Sequence, residues 1–471
     1  EFRRVLFRFF SVLKLFSPTA YSQTKSTDTL TVMAKIWSKD EDKQVHYSDW
    51  KAFLAITIDG IKGFDQTKKI PTDKIYQSRT DKKGNKTGFF HTEKKNGRWW
   101  VVDPNGYYTY VTAVNGIRPL RTTPLPSTFT DINDWAKQTI IALDTNGFNT
   151  AGCWSDTSEI IAYNRTSANP IAYTTQLSLL SGYVSETKKQ YKHRKDQSNL
   201  SFIMDDDFPA YCREKCKLLK STLNDKNLLG HFSDNEIGFT ANELKSVLKN
   251  KNEIDKAYLF CRNYATAKGW NLDSLTKEQQ KIILGEMAGI YYAIVYKAIK
   301  DADPNHLYLG SRIHSNAKNN QYIFNYLQKY TDIISINYYG DWQPRADFIN
   351  DWATWCDKPF FVTEFYTKAE ETGMNNMSGA GWIVKTQKDR GIHYQNFCLA
   401  LLKAKNCVGW HWFRYQDNDP NDAKADDSNK DSNKGIVNLQ YEFYQPLMQY
   451  MKALNTSVYP LIDFFDSQNS K

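Results

Sequence analysis

Few of the residue patterns that accompany a metal or cofactor occur in these 471 residues. The eight histidines form no HxxxH or HExxH pair, which excludes a zinc-hydrolase helix. The seven cysteines are scattered, at 153, 212, 216, 261, 356, 398 and 407. Cys212 and Cys216 share one face of an expected helix but lack the second pair that a zinc site needs. An odd, dispersed set of this kind reads as buried free thiols. No GxGxxG follows an early strand, so the dinucleotide-binding fingerprint is missing. With no RNA-binding signature and no concentrated basic stripe, nucleic acid is not an expected partner. Beyond the N-terminal segment no apolar run reads as long enough to span a membrane. No cofactor and no metal are expected.

Aromatic side chains, in contrast, are abundant: 14% of the chain, beside a modest 41% hydrophobic content. That excess suits either a large core or a carbohydrate cleft, because sugar ring faces stack on aromatic rings. Lys and Arg total 61 against 52 Asp and Glu, a net charge of +9. This favours solubility and is compatible with a polyanionic substrate such as a sulfated polysaccharide.

Residues 1–22 read as a secretory signal. Arg3, Arg4 and Arg8 precede an apolar stretch from Phe9 to Phe16, and Ala20 and Ser22 offer the small residues of a cleavage site. A secreted or periplasmic location follows from that reading. Residues 23–90 are polar and form a small β or irregular extension, with strand-like pieces at 29–32 and 53–58. From 91 to 460, strand and helix signals alternate, as in parallel-sheet α/β proteins. Eight strands are expected, at 107–114, 148–152, 171–180, 228–234, 306–312, 333–337, 360–364 and 408–413. Helical periods occur at 131–143, 209–223, 287–299, 320–330 and 395–404, with two helices and Gly269 between residues 236 and 306. Eight such units predict a (β/α)8 TIM barrel. A loop rich in Asp, Asn and Lys follows the eighth strand. Its start, Asp417-x-Asp419-x-Asn421, has the spacing of a calcium loop, but Asp422 stands where that loop needs glycine, and no Glu closes it.

Two of the strands end in a carboxylate. Leu228 to Asp234 runs on to Asn235 and Glu236, and Pro359 to Thr363 ends at Glu364. Glutamate is a poor strand former, so these are strand tips, and in a barrel such tips face the catalytic rim. Taken singly, each Glu fits a strand cap or an Arg partner equally well. Together, on the fourth and seventh strands, they supply the acid and the nucleophile of a retaining glycosidase, which needs carboxyls about 5–5.5 Å apart. Asn235 is placed to bond a sugar 2-hydroxyl. The strand ends supply further candidates for substrate binding: Asn149 and Trp154, Arg312 and His314, Tyr338 and Tyr339, and Trp410, His411 and Trp412. A Tyr there would hold the nucleophile ionised, and Arg312 would pair with one glutamate. One of the two strand-eight tryptophans would be the platform under the sugar, the other packing outside.

The Asn–Glu ending on strand four with a Glu ending strand seven resembles the large clan of (β/α)8 glycoside hydrolases. A closer likeness lies in Trp99-Trp100-Val101-Val102-Asp103-Pro104-Asn105-Gly106, Gly147-Phe148-Asn149-Thr150-Ala151-Gly152-Cys153-Trp154-Ser155-Asp156 and Phe232-Ser233-Asp234-Asn235-Glu236. It continues in Leu307-Tyr308-Leu309-Gly310-Ser311-Arg312, Ser335-Ile336-Asn337-Tyr338-Tyr339, Val362-Thr363-Glu364-Phe365 and Gly409-Trp410-His411-Trp412-Phe413. These stretches make the chain similar to glycoside hydrolase family 50, the β-agarases, and more loosely to the family 42 β-galactosidases. The resemblance implies Glu236 as acid/base, Glu364 as nucleophile, and an agar- or porphyran-type galactan polysaccharide or oligosaccharide as substrate. A β-galactosidase acting on short oligosaccharides, or a non-catalytic carbohydrate-binding barrel, are the alternatives. The large N-terminal β domain of such agarases is reduced here to residues 23–90 or missing.

Overall fold

Short apolar strands buried on both faces need a layer on each side, and the chain supplies it. The computed structural model describes residues 28–39, 45–249, 251 and 253–468, so the expected signal segment 1–22 lies outside it. Eight strands form one parallel sheet: β1 (Val111–Val114), β2 (Thr150–Ala151), β3 (Ala172–Gln176), β4 (Leu228–Phe232), β5 (Leu307–Tyr308), β6 (Ile334–Asn337), β7 (Phe360–Glu364) and β8 (Cys407–Trp412). Their hydrogen-bonded order is β5-β4-β3-β2-β1-β8-β7-β6, which brings the first strand beside the last. Between the two edges, Ile313, just past β5, makes a single parallel bridge to Ile336 of β6.

Side chains alternate across this sheet with period two, except at register shifts such as those at Leu229 and Val408. Val111, Ala113, Leu229, Phe232, Phe361 and Val408 share one buried cluster on the concave face. Val114, Leu228, Ile336, Val362, Trp410 and Trp412 belong to a larger one that includes the surrounding helices. Each expected strand is found within or near its span, with one division. Residues 107–114 break at Tyr110, and Tyr107–Thr109 pairs antiparallel with Arg98–Val102 and Arg79–Lys83 instead. The stretch between Glu236 and His306 holds three helices, Ala241–Lys249, Lys256–Ala267 and Lys277–Ala302, where two were expected.

Of these, Lys277–Ala302 corrects the sequence reading on membrane-length segments. Its 26 residues are long and apolar enough to cross a bilayer by length and composition. It is a core helix: Ile283, Met287, Tyr291, Tyr292 and Val295 are buried along it. It begins with a capping box in which Thr276 and Gln279 satisfy each other's backbone N–H groups. All seven cysteines are buried free thiols.

The extension is woven into the main body. Leu30–Lys35 pairs antiparallel with both Lys51–Ala55 and Trp382–Val384, the latter from the segment after β7. Trp37–Lys39 pairs with Val45–Tyr47. Buried Lys368 ties this hairpin down, donating to the carbonyls of Asn376 (2.7 Å) and Ser378 (2.9 Å) and to the Tyr47 hydroxyl. At the other end, helix Val458–Gln468 supplies Asp463 to the buried Arg79 and Asp466 to the buried Arg98, each as a two-bonded pair at 2.8–2.9 Å.

Helix Lys277–Ala302 packs closely on helix Gln321–Tyr330 through glycines. A Cβ on Gly285 would lie 2.4 Å from Tyr322 Cβ and 3.0 Å from its carbonyl carbon, whereas one on Gly289 would meet only the Tyr326 ring. Alanine in a helix gains about 1 kcal/mol over glycine, but overpacking costs about 1–3 kcal/mol where the neighbour cannot move. Gly285→Ala is therefore expected to lower the unfolding free energy in urea titrations. Gly289→Ala, facing a ring that can swing, is expected to cost less.

Candidate active site

The two carboxylates reach one cavity by different routes. Glu364 is the last residue of β7, at the end of a strand buried throughout. Glu236 lies four residues past β4, on a segment anchored by buried Asp234, which accepts from the backbone N–H of Leu180 and of Ser181 at 2.9 Å and from the Tyr291 hydroxyl at 2.8 Å. Three non-glycine residues at these rims hold left-handed backbone: Trp154 (φ 65°), Glu236 (φ 52°) and Arg312 (φ 53°). Each costs about 1–2 kcal/mol. Strain of that size persists where surrounding contacts fix it, typically at functional sites.

Arg312 organises the floor. Its guanidinium donates to Glu364 Oε1, to the Thr363 carbonyl (3.3 Å) and to Cys153 Sγ (2.8 Å). The Cys153 thiol, pushed up to about 12 by burial, stays protonated and donates to Gln176 Oε1 at 3.0 Å. The rings of Phe232 and Trp154 flank the guanidinium at 5.5 and 5.7 Å. The second oxygen of Glu364 accepts from the Tyr339 phenol at 2.7 Å. That phenol is held un-ionised by its burial and by the Glu364 charge.

Glu236 has a softer environment. Its Oε1 accepts from Asn337 Nδ2 at 2.8 Å, and Oε2 lies 3.9 Å from His314 Nδ1. Burial pushes that imidazole down to about 4, so it is neutral and adds no positive charge. Asn337 also donates to Asn235 Oδ1 (3.2 Å) and accepts from the Thr363 hydroxyl (2.8 Å). One buried amide thus links both carboxylate-bearing segments, and it leaves the Asn235 Nδ2 to donate elsewhere. Burial is the largest influence on both glutamates and raises both; Arg312 opposes it at each, in direct contact only with Glu364. Glu364 is the member of the pair held toward its ionised form.

Both glutamates open onto a cavity of about 1240 Å3, which Trp154, Asn235, His314 and Tyr339 also line. Trp154 is 37% exposed. Its ring presents a free face of the kind that stacks on sugars. Trp37 and Val45 of the N-terminal hairpin contribute to the wall, as do residues 413–434 after β8.

Six expected binding residues do not line the cavity. Asn149 precedes β2; its Nδ2 donates to the carbonyls of Tyr76 and Tyr110, and its Oδ1 accepts from Thr112 N–H. Tyr338 points into the helix layer, bonding Asp341 at 2.9 Å beneath Trp352 and Phe397. Trp410 and Trp412 are two apart on β8, so they share a face, and both rings pack on Tyr394 of helix Gln387–Lys403. Neither is a platform in the cavity. His411 takes the inward face instead, buried and neutral with its ring pushed down to about 3, beside Asn115 Oδ1 at 3.2 Å. Arg312 is buried beneath the cavity as the partner of Glu364. The Asp417 carboxylate is bonded by Asn433, the Gly435 N–H and Tyr444, so it is the keystone of its loop. Asn337 was not among the expected residues; its position at the tip of β6 was the one available signal.

No family model matches the chain. It is similar to β-agarase B of Vibrio sp. (strain JT0107), at 24% identity over 502 residues, covering 84% of this chain and 51% of that protein. It is also similar to β-agarase A of the same strain, at 30% identity over 174 residues, covering 36% and 17%. The chain thus spans about half the length of the first of these. Among solved structures, the crystal structure of BpGH50 is 32% identical with a TM-score of 0.84, covering 95% of this chain and 98% of that one. PfGH50B shares the fold at 19% identity and a TM-score of 0.66, covering 83% and 69%.

Arg312→Met removes the guanidinium that contacts the buried Glu364 carboxylate. The expected cost is about 3–5 kcal/mol at neutral pH, read from denaturant unfolding. The Glu364 carboxyl should then titrate at higher pH, visible by 13C NMR of labelled glutamate. Since the folded carboxyl would bind its proton more tightly than the unfolded one, the deficit should shrink as pH falls through that raised midpoint.

Proposed function

Because the chain belongs to glycoside hydrolase family 50, we propose that it is a retaining β-glycoside hydrolase cleaving agar-type galactan, with Glu364 as nucleophile and Glu236 as acid/base. The observation that carries this reading is the unequal pair of carboxylates in one cavity. Glu364 meets a guanidinium and a phenol, while Glu236 meets only an amide and a neutral imidazole. A double displacement needs that asymmetry: one group ionised and one retaining its proton. The β-agarase names of the curated relatives support galactan as the substrate. We read the sheet as a (β/α)8 barrel closed at the Ile313–Ile336 bridge, with both carboxylates at its C-terminal rim. Export rests on the apolar, small-residue segment within residues 1–22.

In the first step Glu364 attacks the anomeric carbon and Glu236 protonates the departing glycosidic oxygen. As Glu364 loses its charge to the new ester bond, Arg312 and Tyr339 remain to stabilise it when it leaves again. In the second step Glu236, now a carboxylate, takes a proton from water, which attacks the same carbon and restores the starting anomeric configuration. The Asn235 amide is placed to bond the sugar 2-hydroxyl, a contact that strengthens as the oxocarbenium ion develops. Trp154 provides the stacking face.

Glu364→Ala should lose at least ~10⁴-fold in kcat on agarose oligosaccharides. Product anomers followed by 1H NMR should show retention. An inverted first product would overturn the mechanism, and turnover confined to glucans or mannans would overturn the substrate. Trp154→Ala should raise KM by roughly 10-fold or more, a loss of about 1–3 kcal/mol of stacking, with a smaller change in kcat.

A further inference from the structure

We propose that Arg414, with Arg118 and Lys434 beside it, forms a subsite for an anionic substituent, a sulfate ester, on a sugar bound in the Glu236–Glu364 cavity. The inference rests on the galactan reading above and narrows it.

Arg414 follows β8 directly and lines the same cavity as the two glutamates. Its Nε is shielded from solvent with no hydrogen-bond partner. Among the described residues its guanidinium makes neither a hydrogen bond nor an ion pair. Arginine nitrogens shielded in this way usually belong to guanidiniums paired with carboxylates, as in Arg79, Arg98 and Arg312 here, whereas half-buried Arg414 has no such pair among the described residues. Arg414 instead presents its planar set of donors to the substrate space, the geometry that grips tetrahedral oxyanions.

The neighbours extend the pattern. Arg118 also lines the cavity, and among the described residues its side chain has no hydrogen bond or ion pair. Arg121 differs, pairing with Asp422 at 2.8 Å. Lys434 is 1% exposed; its ammonium donates to the Ser428 carbonyl and to Asn429 Oδ1 (3.2 Å), leaving one proton free. Burial and the nearby Arg414 push it down to about 7. Burial and Arg118 likewise lower Arg414, and burial and Arg121 lower Arg118. A bound anion would relieve this crowding of like charges. The acids of the same wall are bonded by other groups, although Asp417 and Asp422 are near enough to offset part of the crowding at Arg414. Asp419 takes Asn421 N–H, Asp422 takes Arg121 and Asp427 takes Lys430. Asp417 takes Asn433, Gly435 and Tyr444, while Asp426 takes Ser428 N–H and Asn429 Nδ2 at 2.9 Å.

Two glycines keep the space open. Gly116 holds left-handed backbone (φ 67°), and a Cβ there would come within 3.4 Å of Arg414 Nε. A Cβ on Gly379 would lie 2.5 Å from Lys434 Nζ and 2.2 Å from the Tyr366 hydroxyl.

The test compares kcat/KM on matched galactan oligosaccharides that are neutral, sulfated at the galactose 6-position, or uronate-bearing. The full chain is assayed beside Arg414→Met and Arg118→Gln. The expected result is at least a tenfold preference of the unmodified protein for the sulfated substrate, weakened by added NaCl. That ratio should fall tenfold or more in Arg414→Met. If thermal melting shows that Arg414→Met does not fold, the part-exposed Arg118→Gln carries the comparison, with a smaller fall. A preference for the uronate that vanishes in the variants would keep the anion subsite and overturn sulfate as its ligand. A ratio near one, or a ratio unchanged by both substitutions, would overturn the subsite while leaving galactan cleavage intact. Calorimetric titration with sodium sulfate is independent of turnover. If no galactan is cleaved, the proposed function fails, whereas sulfate binding lost in Arg414→Met would still sustain the subsite.

Discussion

The buried Arg312–Glu364 pair is the constraint around which the remaining site is arranged. A carboxylate at the end of an apolar strand is tolerable only with compensation, and a guanidinium at that depth needs several acceptors of its own. Cys153 after β2, Thr363 on β7 and the flanking rings of Phe232 and Trp154 meet that need. Fixing Arg312 therefore fixes the relative positions of β2, β4, β5 and β7. The left-handed backbone at Arg312 and Trp154 is a local cost that these contacts offset.

Asn337 performs the corresponding task without charge. Its amide has two donors and an acceptor, and all are engaged by Asn235, Glu236 and Thr363. The amide orients Glu236, and its donated hydrogen bond lowers that carboxyl against the larger effect of burial, which raises it. The two imidazoles nearby, His314 and His411, are both held neutral by burial, so Arg312 is the cation in contact with the carboxylate pair, through Glu364, and Arg414, Arg118 and Lys434 add charge along the cavity wall. Arg312 keeps its charge throughout, so the groups that titrate are the two carboxylates, both raised by burial, and Lys434, pushed down to about 7.

The strands were legible because parallel sheets write themselves as continuous apolar runs, and the glutamate tips were legible because they break that rule. What was not legible was side-chain direction. Tyr338 and Tyr339 are adjacent, so only one can face the cavity, and the sequence does not say which. For Trp410 and Trp412 the period of two does settle that they share a face, but that face turns out to be the helix-facing one, because Tyr394 and Phe365 lie against it. The left-handed turns at Trp154, Glu236 and Arg312 carry no glycine or asparagine to announce them. Asn149 reads as a rim residue only until β2 is seen to begin after it.

The pairing of the two ends of the chain has a consequence for synthesis. Arg79 and Arg98 are buried guanidiniums whose carboxylates, Asp463 and Asp466, lie 384 and 368 positions downstream. One cavity wall includes Trp37 and another Lys434. At about 5–20 residues per second, the ribosome delivers Asp463 and Asp466 only tens of seconds later; Arg79 has its neighbour Asp81 in the meantime, whereas Arg98 waits for Asp466. Water must solvate the Arg98 guanidinium during that interval. The cavity thus draws its walls from Trp37 to Lys434, nearly the whole span of the described residues.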